Sequence, residues 1–195
     1  MTTAGNAGIR LGPELASFAA ASKLDAVTLC RPWLNSIAEK TGETADLSVF
    51  RRSKMLYLDQ IPGTHRLRAV SFVGEEFPMT NSANGRASLA LMSDQQAREI
   101  AETEWKEAGQ HGDWERLASL LAEARETGLA FNRNEHTEGI SAVGIAVRNY
   151  LDEIYAISVP VPSHRFEENL SVITKEVLRV SREFRRRFQG QYRDC

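Results

Sequence analysis

The order of patterned segments predicts an α+β fold, a layered domain with a central, largely antiparallel sheet flanked by helices. Two observations carry this. Helix-like and strand-like periods come in blocks (helices, strands, helices, strands, helix), without the regular alternation that builds a parallel sheet. The chain has 195 residues, 42% apolar and 26% charged, enough for one domain with a full core and too few for two large ones.

Met1 to Ala7 is small and polar and is predicted to be disordered, so residues 1–10 are set apart from a domain spanning 11–190. Pro13 opens a first helix, and Asp25 caps a second that runs to about Lys40. Val27, Cys30, Leu34 and Ile37 share one face of that second helix, and Pro32 within it predicts a kink or short break. Thr41-Gly42 ends it. Thr44 to Arg51 and Lys54 to Ile61 read as a strand pair turning at Arg52-Ser53, and Leu67 to Val73 as a third strand. Ser82 caps a short helix to Met92, and Ser93 with Gln96 forms a capping box for the next. A further helix starts near Asp113, with Trp114, Leu117, Leu121 and Ala124 as its apolar stripe, and stops at Gly128. After a polar turn come strands from Ile140 to Arg148 and from Ile154 to Val161, joined around Leu151-Asp152. The last helix is marked by Phe166, Leu170, Ile173, Val177, Val180, Phe184 and Phe188 at spacings of three and four.

Composition excludes several functions. A net charge of −2 argues against a bare nucleic-acid-binding surface. No apolar run approaches the roughly 18 residues of a membrane span, and no basic stretch followed by an apolar one suggests a signal peptide. Cys30 in a helical pattern and Cys195 at the terminus make a poor disulfide pair and fit a reducing cytoplasm.

No catalytic constellation stands out, and neither a cofactor nor a metal is expected. Glu135-His136 with Glu138 has acid-base residues, but they sit in a turn, where solvated polarity is the favoured reading. His65, His111, His136 and His164 show no HxH, HExxH or CxxC spacing. The serine of GISAVG lies on a strand without the glycine spacing of a nucleophile elbow, and Gly63 begins no phosphate loop. Arg182, Arg185, Arg186, Arg187 and Arg193 form a basic run best read as a solvated helix end that complements the dipole.

A binding pattern is clearer. FPMTNSANGRASLAL, from Phe77 to Leu91, leads a chain into a helix whose first turn, Ala83, Asn84 and Gly85, is small and rich in unpaired amides, a setting for an anionic or polar ligand head. Ile140, Ala142 and Gly144 share one strand face, with Ser141, Val143 and Ile145 opposite. On the next strand Ala156, Ser158 and Pro160 share a face, with Ile157 and Val159 opposite. The small faces leave room either for a ligand or for close helix packing.

Several segments in order, RLGPEL at Arg10 to Leu15, RPWLNSIAEKTGETADLSV at Arg31 to Val49, PMTNSANGRASLA at Pro78 to Ala90, and GLAFNRNEHTEGISAVGIAV at Gly128 to Val147, resemble the effector-binding domain of the isocitrate-lyase-regulator (IclR) family of bacterial transcription factors. The ISVPVPSHRF run ending at Phe166 completes the match, which covers about Leu11 to Phe188. The resemblance implies a GAF/PAS-like sensor rather than an enzyme. It places ligand contacts at Ala69, Phe77, Ala83, Asn84, Asn132, Ile140, Ala142, Ser158 and Pro160. Asn84 stands where the family often has a small residue, Asn132 where it has an acid, Pro160 where a second serine occurs, and Ala142 where some members have cysteine. The implied effector is a small organic acid, with an aromatic acid suited to Phe77 and the apolar faces. Its carboxylate is expected at the helix starting near Ala83, held by backbone and neutral donors, since no lysine or arginine lies in this set. The resemblance further implies a homodimer or homotetramer, with Trp33 as an exposed aromatic for pairing, no membrane partner, and DNA contact only through a winged helix-turn-helix that is not in this sequence. On that reading the 195 residues are a fragment of a longer regulator rather than a stand-alone sensor, and do not bind operator DNA specifically by themselves. Another small-molecule-binding domain of GAF or PAS type, or a small hydrolase or isomerase, are the competing readings.

Overall fold

The computed structural model describes the backbone of residues 2–3, 9–10 and 13–190 and the side chains of residues 26–188. Strand β1 (Thr2–Thr3) pairs antiparallel with β2 (Ile9–Arg10); the rest of the stretch expected to be disordered lies outside the described residues, as does Cys195.

Helix α1 (Pro13–Thr41) is a single 29-residue helix, with Asp25 and Pro32 both inside it. The expected cap at Asp25 and break at Pro32 are therefore corrected. Thr28 and Pro32 are both exposed, so the carbonyl that Pro32 cannot serve lies on the water side, where its lost partner costs least. Gly42, at φ +71, turns the chain out of the helix. Strands β3 (Ala45–Arg51) and β4 (Lys54–Ile61) form a hairpin whose two turn residues, Arg52 and Ser53, both have positive φ, the turn whose twist matches its strands.

Leu67 to Val73 is not a strand. The edge of β4 is taken instead by β5 (Glu76–Phe77), reached through the turn at Gly74, φ +91. The apolar side chains that suggested a strand are not packed into the core: Leu67, Val70, Phe72 and Val73 are all more than half exposed. Side chains hold the segment instead, Thr44 Oγ1 donating to the Ala69 carbonyl at 2.7 Å and Ser71 Oγ to Asp46 Oδ2 at 3.0 Å.

Helix α2 (Ala83–Leu89) is capped by Ser82, and α3 (Asp94–Glu107) begins with the capping box of Ser93 and Gln96. Helix α4 (Trp114–Thr127), capped by Asp113, ends at Gly128 in the left-handed region. Strand β6 (Ala130–Arg133), too short to show a period, follows where only a turn was expected. Strands β7 (Ile140–Arg148) and β8 (Ile154–Pro162) and helix α5 (Phe166–Gly190) complete the fold.

The six-stranded sheet has the order β5-β4-β3-β8-β7-β6, with every pair antiparallel. One face carries Leu47, Val49, Val143, Ile145, Ile157 and Val159 and packs on α1 and α5, burying Ile173, Val177, Val180, Phe184 and Phe188. Trp33 is half-buried against Phe184 and Phe188, with its Nε1 donating to Glu183, so it is not a free aromatic for pairing. The other face packs Ala146 and Ala156 against α2 and α4 through Ala87, Leu117 and Leu121. No helix among the described residues is long and apolar enough to cross a membrane.

Gly144 sets how closely α2 lies on this face. A Cβ there would stand 2.5 Å from the Ala83 carbonyl oxygen and 2.6 Å from its carbon, both backbone atoms that cannot swing aside. Gly144→Val should therefore lift the start of α2 and destabilise the domain by about 1–3 kcal/mol. Thermal unfolding should show a drop of roughly 2–4 °C per kcal/mol, and an unchanged midpoint would refute the contact.

Candidate functional site

The strand register builds the floor of a cavity. Residues opposite one another across antiparallel strands share a face. Asn132, Ala142 and Pro160 form one such row across β6, β7 and β8. Gly144, Ser158 and Asp46 form the next across β7, β8 and β3. An irregularity in the pairing of β3 with β4, between Leu47 and Ser48, brings Tyr57 opposite Ser48 on the same side. The small faces thus serve both purposes left open above. Gly144, Ala146 and Ala156 lie under α2, while Ala142, Ser158 and Pro160 are left open.

The opening is a cavity of about 300 Å³, in the range of small-molecule sites. Ala142, Ser158, Pro160, Ile140 and Asn132 line it from the sheet, and Ala83 and Asn84 from the first turn of α2. Ala69 and Phe77 line it from the two segments that cross its mouth. All nine residues expected from the sequence therefore border one cavity. Seven more were missed: Tyr57, Ser82, Arg68, Val70, Ser71, His136 and Thr137.

Tyr57, Phe77 and His136 make one aromatic wall, with successive ring centroids 4.6 Å apart. Burial pushes the His136 pKa down, although Glu75 and Glu104 pull the other way, which favours the neutral ring. Arg68, an exposed residue whose Nη1 donates to the His65 carbonyl at 3.3 Å, also lines the cavity. That corrects the expectation of a pocket without a cation.

The two asparagines are held in fixed orientations. Asn84 Nδ2 donates to Ser48 Oγ at 3.0 Å, and its Oδ1 accepts from the Gly85 amide at 3.1 Å. Asn132 Nδ2 donates to the Asn81 carbonyl, and its Oδ1 accepts from the Glu135 amide at 3.2 Å. The Gly85 amide also donates to Ser82 Oγ, so it is not the open donor the sequence suggested.

Ser158 is different. Its hydroxyl is buried, 2% exposed, and makes no hydrogen bond of good geometry, although it lies near enough to Tyr57 to ease that phenol's ionisation slightly. An unsatisfied buried hydroxyl is costly, and a ligand or a water at the cavity floor would complete it. Burial pushes Tyr57 well above the ordinary phenol range, helped by the charge of Asp46. Asp46, directly across from Ser158, is driven up to about 7 by burial, against hydrogen bonds from Gln60 and Ser71 and with Glu75 adding to the rise.

Glu135 fastens the β6–β7 loop. Its carboxylate accepts from Arg86 Nη1 of α2 at 2.5 Å and from Arg116 Nη2 of α4 at 2.6 Å. Burial alone would raise its pKa, but the two arginines outweigh it and hold it below the ordinary carboxylate range. Glu135 therefore serves as an ion-pair hub rather than as a solvated turn carboxylate. Glu138 stays exposed, and no group of His, Cys, Asp and Glu among the described residues is arranged to hold a metal.

The model of the bacterial transcriptional regulator IclR C-terminal family matches residues 18–186. The chain is 41% identical over 159 residues to the HTH-type transcriptional regulator Rv1719 of Mycobacterium tuberculosis, covering 80% of this chain and 61% of the relative. It is 27% identical over 176 residues to the HTH-type transcriptional regulator TtgV of Pseudomonas putida, covering 88% and 66%. This chain thus spans less than two thirds of either relative. Among solved structures, the Thermotoga maritima IclR superposes with a TM-score of 0.69 at 21% identity, over 88% of this chain and 74% of that one, a likeness of fold.

Proposed function

We infer that this chain, which belongs to the IclR family of bacterial transcriptional regulators and matches its C-terminal domain, is a ligand sensor and not an enzyme. Its effector is a small organic acid, and an aromatic ring suits the wall of Tyr57, Phe77 and His136. The observation that carries this reading is the buried Ser158 hydroxyl, without a hydrogen bond of good geometry, at the floor of a cavity walled by aromatic and small side chains. Ser158 donates one hydrogen bond to the acid, Ala142 and Ile140 give apolar contact, and Arg68 meets part of its charge. The carboxylate faces the first turn of α2, where Ala83 allows close approach. Binding shifts the balance of a cytoplasmic, self-associated regulator that reads DNA through a winged helix-turn-helix. Calorimetry against a panel of keto acids and aromatic acids tests this. Saturable binding of a panel member without turnover is expected; turnover of any of them would make the chain an enzyme.

Asp46 gives the reading a pH signature. Ionised, it places a negative charge behind the cavity wall, one hydrogen bond beyond Ser71. An acid should therefore bind more tightly as pH falls from 8 to 6, by up to about tenfold per unit. Asp46→Asn should flatten that slope. The folded pKa of about 7 lies above the ordinary 3.8, so folding favours protonated Asp46 and its contribution fades as pH rises between these values. Asp46→Asn should accordingly raise the melting temperature more at pH 8 than at pH 5. A parental pH profile in the variant would contradict this.

A further inference from the structure

We propose that a cleft at the other end of α2 is a second ligand site, for a small carboxylate with a compact apolar body. The cleft holds about 320 Å³. Ala87 of α2, Ala130 of β6 and Ala146 of β7 give it an apolar floor of small side chains. Three guanidinium groups from three elements, Arg125 of α4, Arg148 of β7 and Arg185 of α5, border it.

Two of these arginines have structural employment. Arg125 donates to the carbonyls of Ala90 at 3.1 Å and Met92 at 3.2 Å and pairs with Asp94. Arg148 donates to the Leu91 carbonyl at 3.0 Å and pairs with Asp152. They hold the carbonyls of the turn that follows α2, close to the negative end of its dipole. Asp94 and Asp152 are 72% and 80% exposed and offset little of the charge.

Arg185 has no such role. It makes no hydrogen bond or ion pair among the described residues. It lies beside Gly128, with Nη2 3.5 Å from where a Cβ would stand, an ordinary contact; the φ of +77 at the end of α4, not the arginine, is what favours glycine there. A carboxylate at Arg185 satisfies the remaining cation while its apolar body covers the alanine floor. A neutral apolar molecule gains nothing from the exposed, hydrated guanidinium, and a highly charged anion has no use for the floor.

Ala83 borders the first cavity and Ala90 this cleft, so α2 bridges the two over about 10 Å at 1.5 Å per residue. The proposal does not depend on the first cavity holding a ligand.

Benzoate is the probe, titrated into the whole chain and followed by amide NMR. Saturable shifts are expected at Gly128 to Ala130 and at Ala146 to Arg148. Arg185→Glu, an exposed change on α5, should weaken them about tenfold or more, and added salt should weaken them too. Benzamide, neutral and of the same shape, should not produce them. Ser158→Ala should leave them as in the parent, so this cleft and the first cavity are read separately. Absence of saturable shifts at these amides, unchanged affinity in Arg185→Glu, or equal shifts with benzamide would each overturn the proposal.

Discussion

Ala142→Leu should abolish effector binding while the domain stays folded. Ala142 sits in the middle of the row from Asn132 to Pro160, with its side chain bordering the cavity. A leucine there extends into open space rather than into packed atoms. The overpacking that usually penalises a larger core residue is therefore small, and each newly buried methylene contributes about 0.8 kcal/mol of transfer free energy. The melting temperature of the ligand-free chain should hold or rise. The added side-chain atoms take up part of the roughly 300 Å³ that the effector would fill between the sheet and the first turn of α2. Ala83→Leu should block the site from the helix side. Calorimetry checks both, and parental affinity in both variants would place the effector elsewhere.

Ser158→Ala should separate binding from stability in an unusual direction. Losing one hydrogen bond to a charged oxygen costs about 1.5–3 kcal/mol, on the order of ten- to a hundredfold in affinity. The ligand-free protein carries the opposite cost, because the Ser158 hydroxyl is buried without a good partner. Removing a polar group in that state should leave stability unchanged or raise it by about 1 kcal/mol, worth roughly 2–4 °C at this chain length. Lower stability in the variant would mean that the hydroxyl has a structural partner, and unchanged affinity would mean that the effector does not use it.

The parts of this fold that were legible in the sequence are those with a period. The stripe from Phe166 to Phe188 faces the core along α5, and β7 and β8 alternate as their small and branched residues suggested. The nine cavity residues were placed by likeness to a family, helped by those strand faces. Other features escaped for physical reasons. Leu67 to Val73 has the composition of a strand, but its place is decided by Thr44 and Asp46, distant in sequence. Strand β6 is four residues long and shows no period. The continuity of α1 depends on Pro32 facing solvent, which the pattern alone does not reveal. Arg68, Tyr57 and His136 were missed because loop and strand register bring them to the cavity, and no local spacing marks them.

The most direct test of the account is a crystal structure of the chain with a bound acid from the panel. Density is expected in the cavity between Ala83 and Ser158, with a ligand oxygen within hydrogen-bond distance of Ser158 Oγ and the ligand body against Phe77. Density for the acid elsewhere on the chain, with this cavity empty, would contradict it.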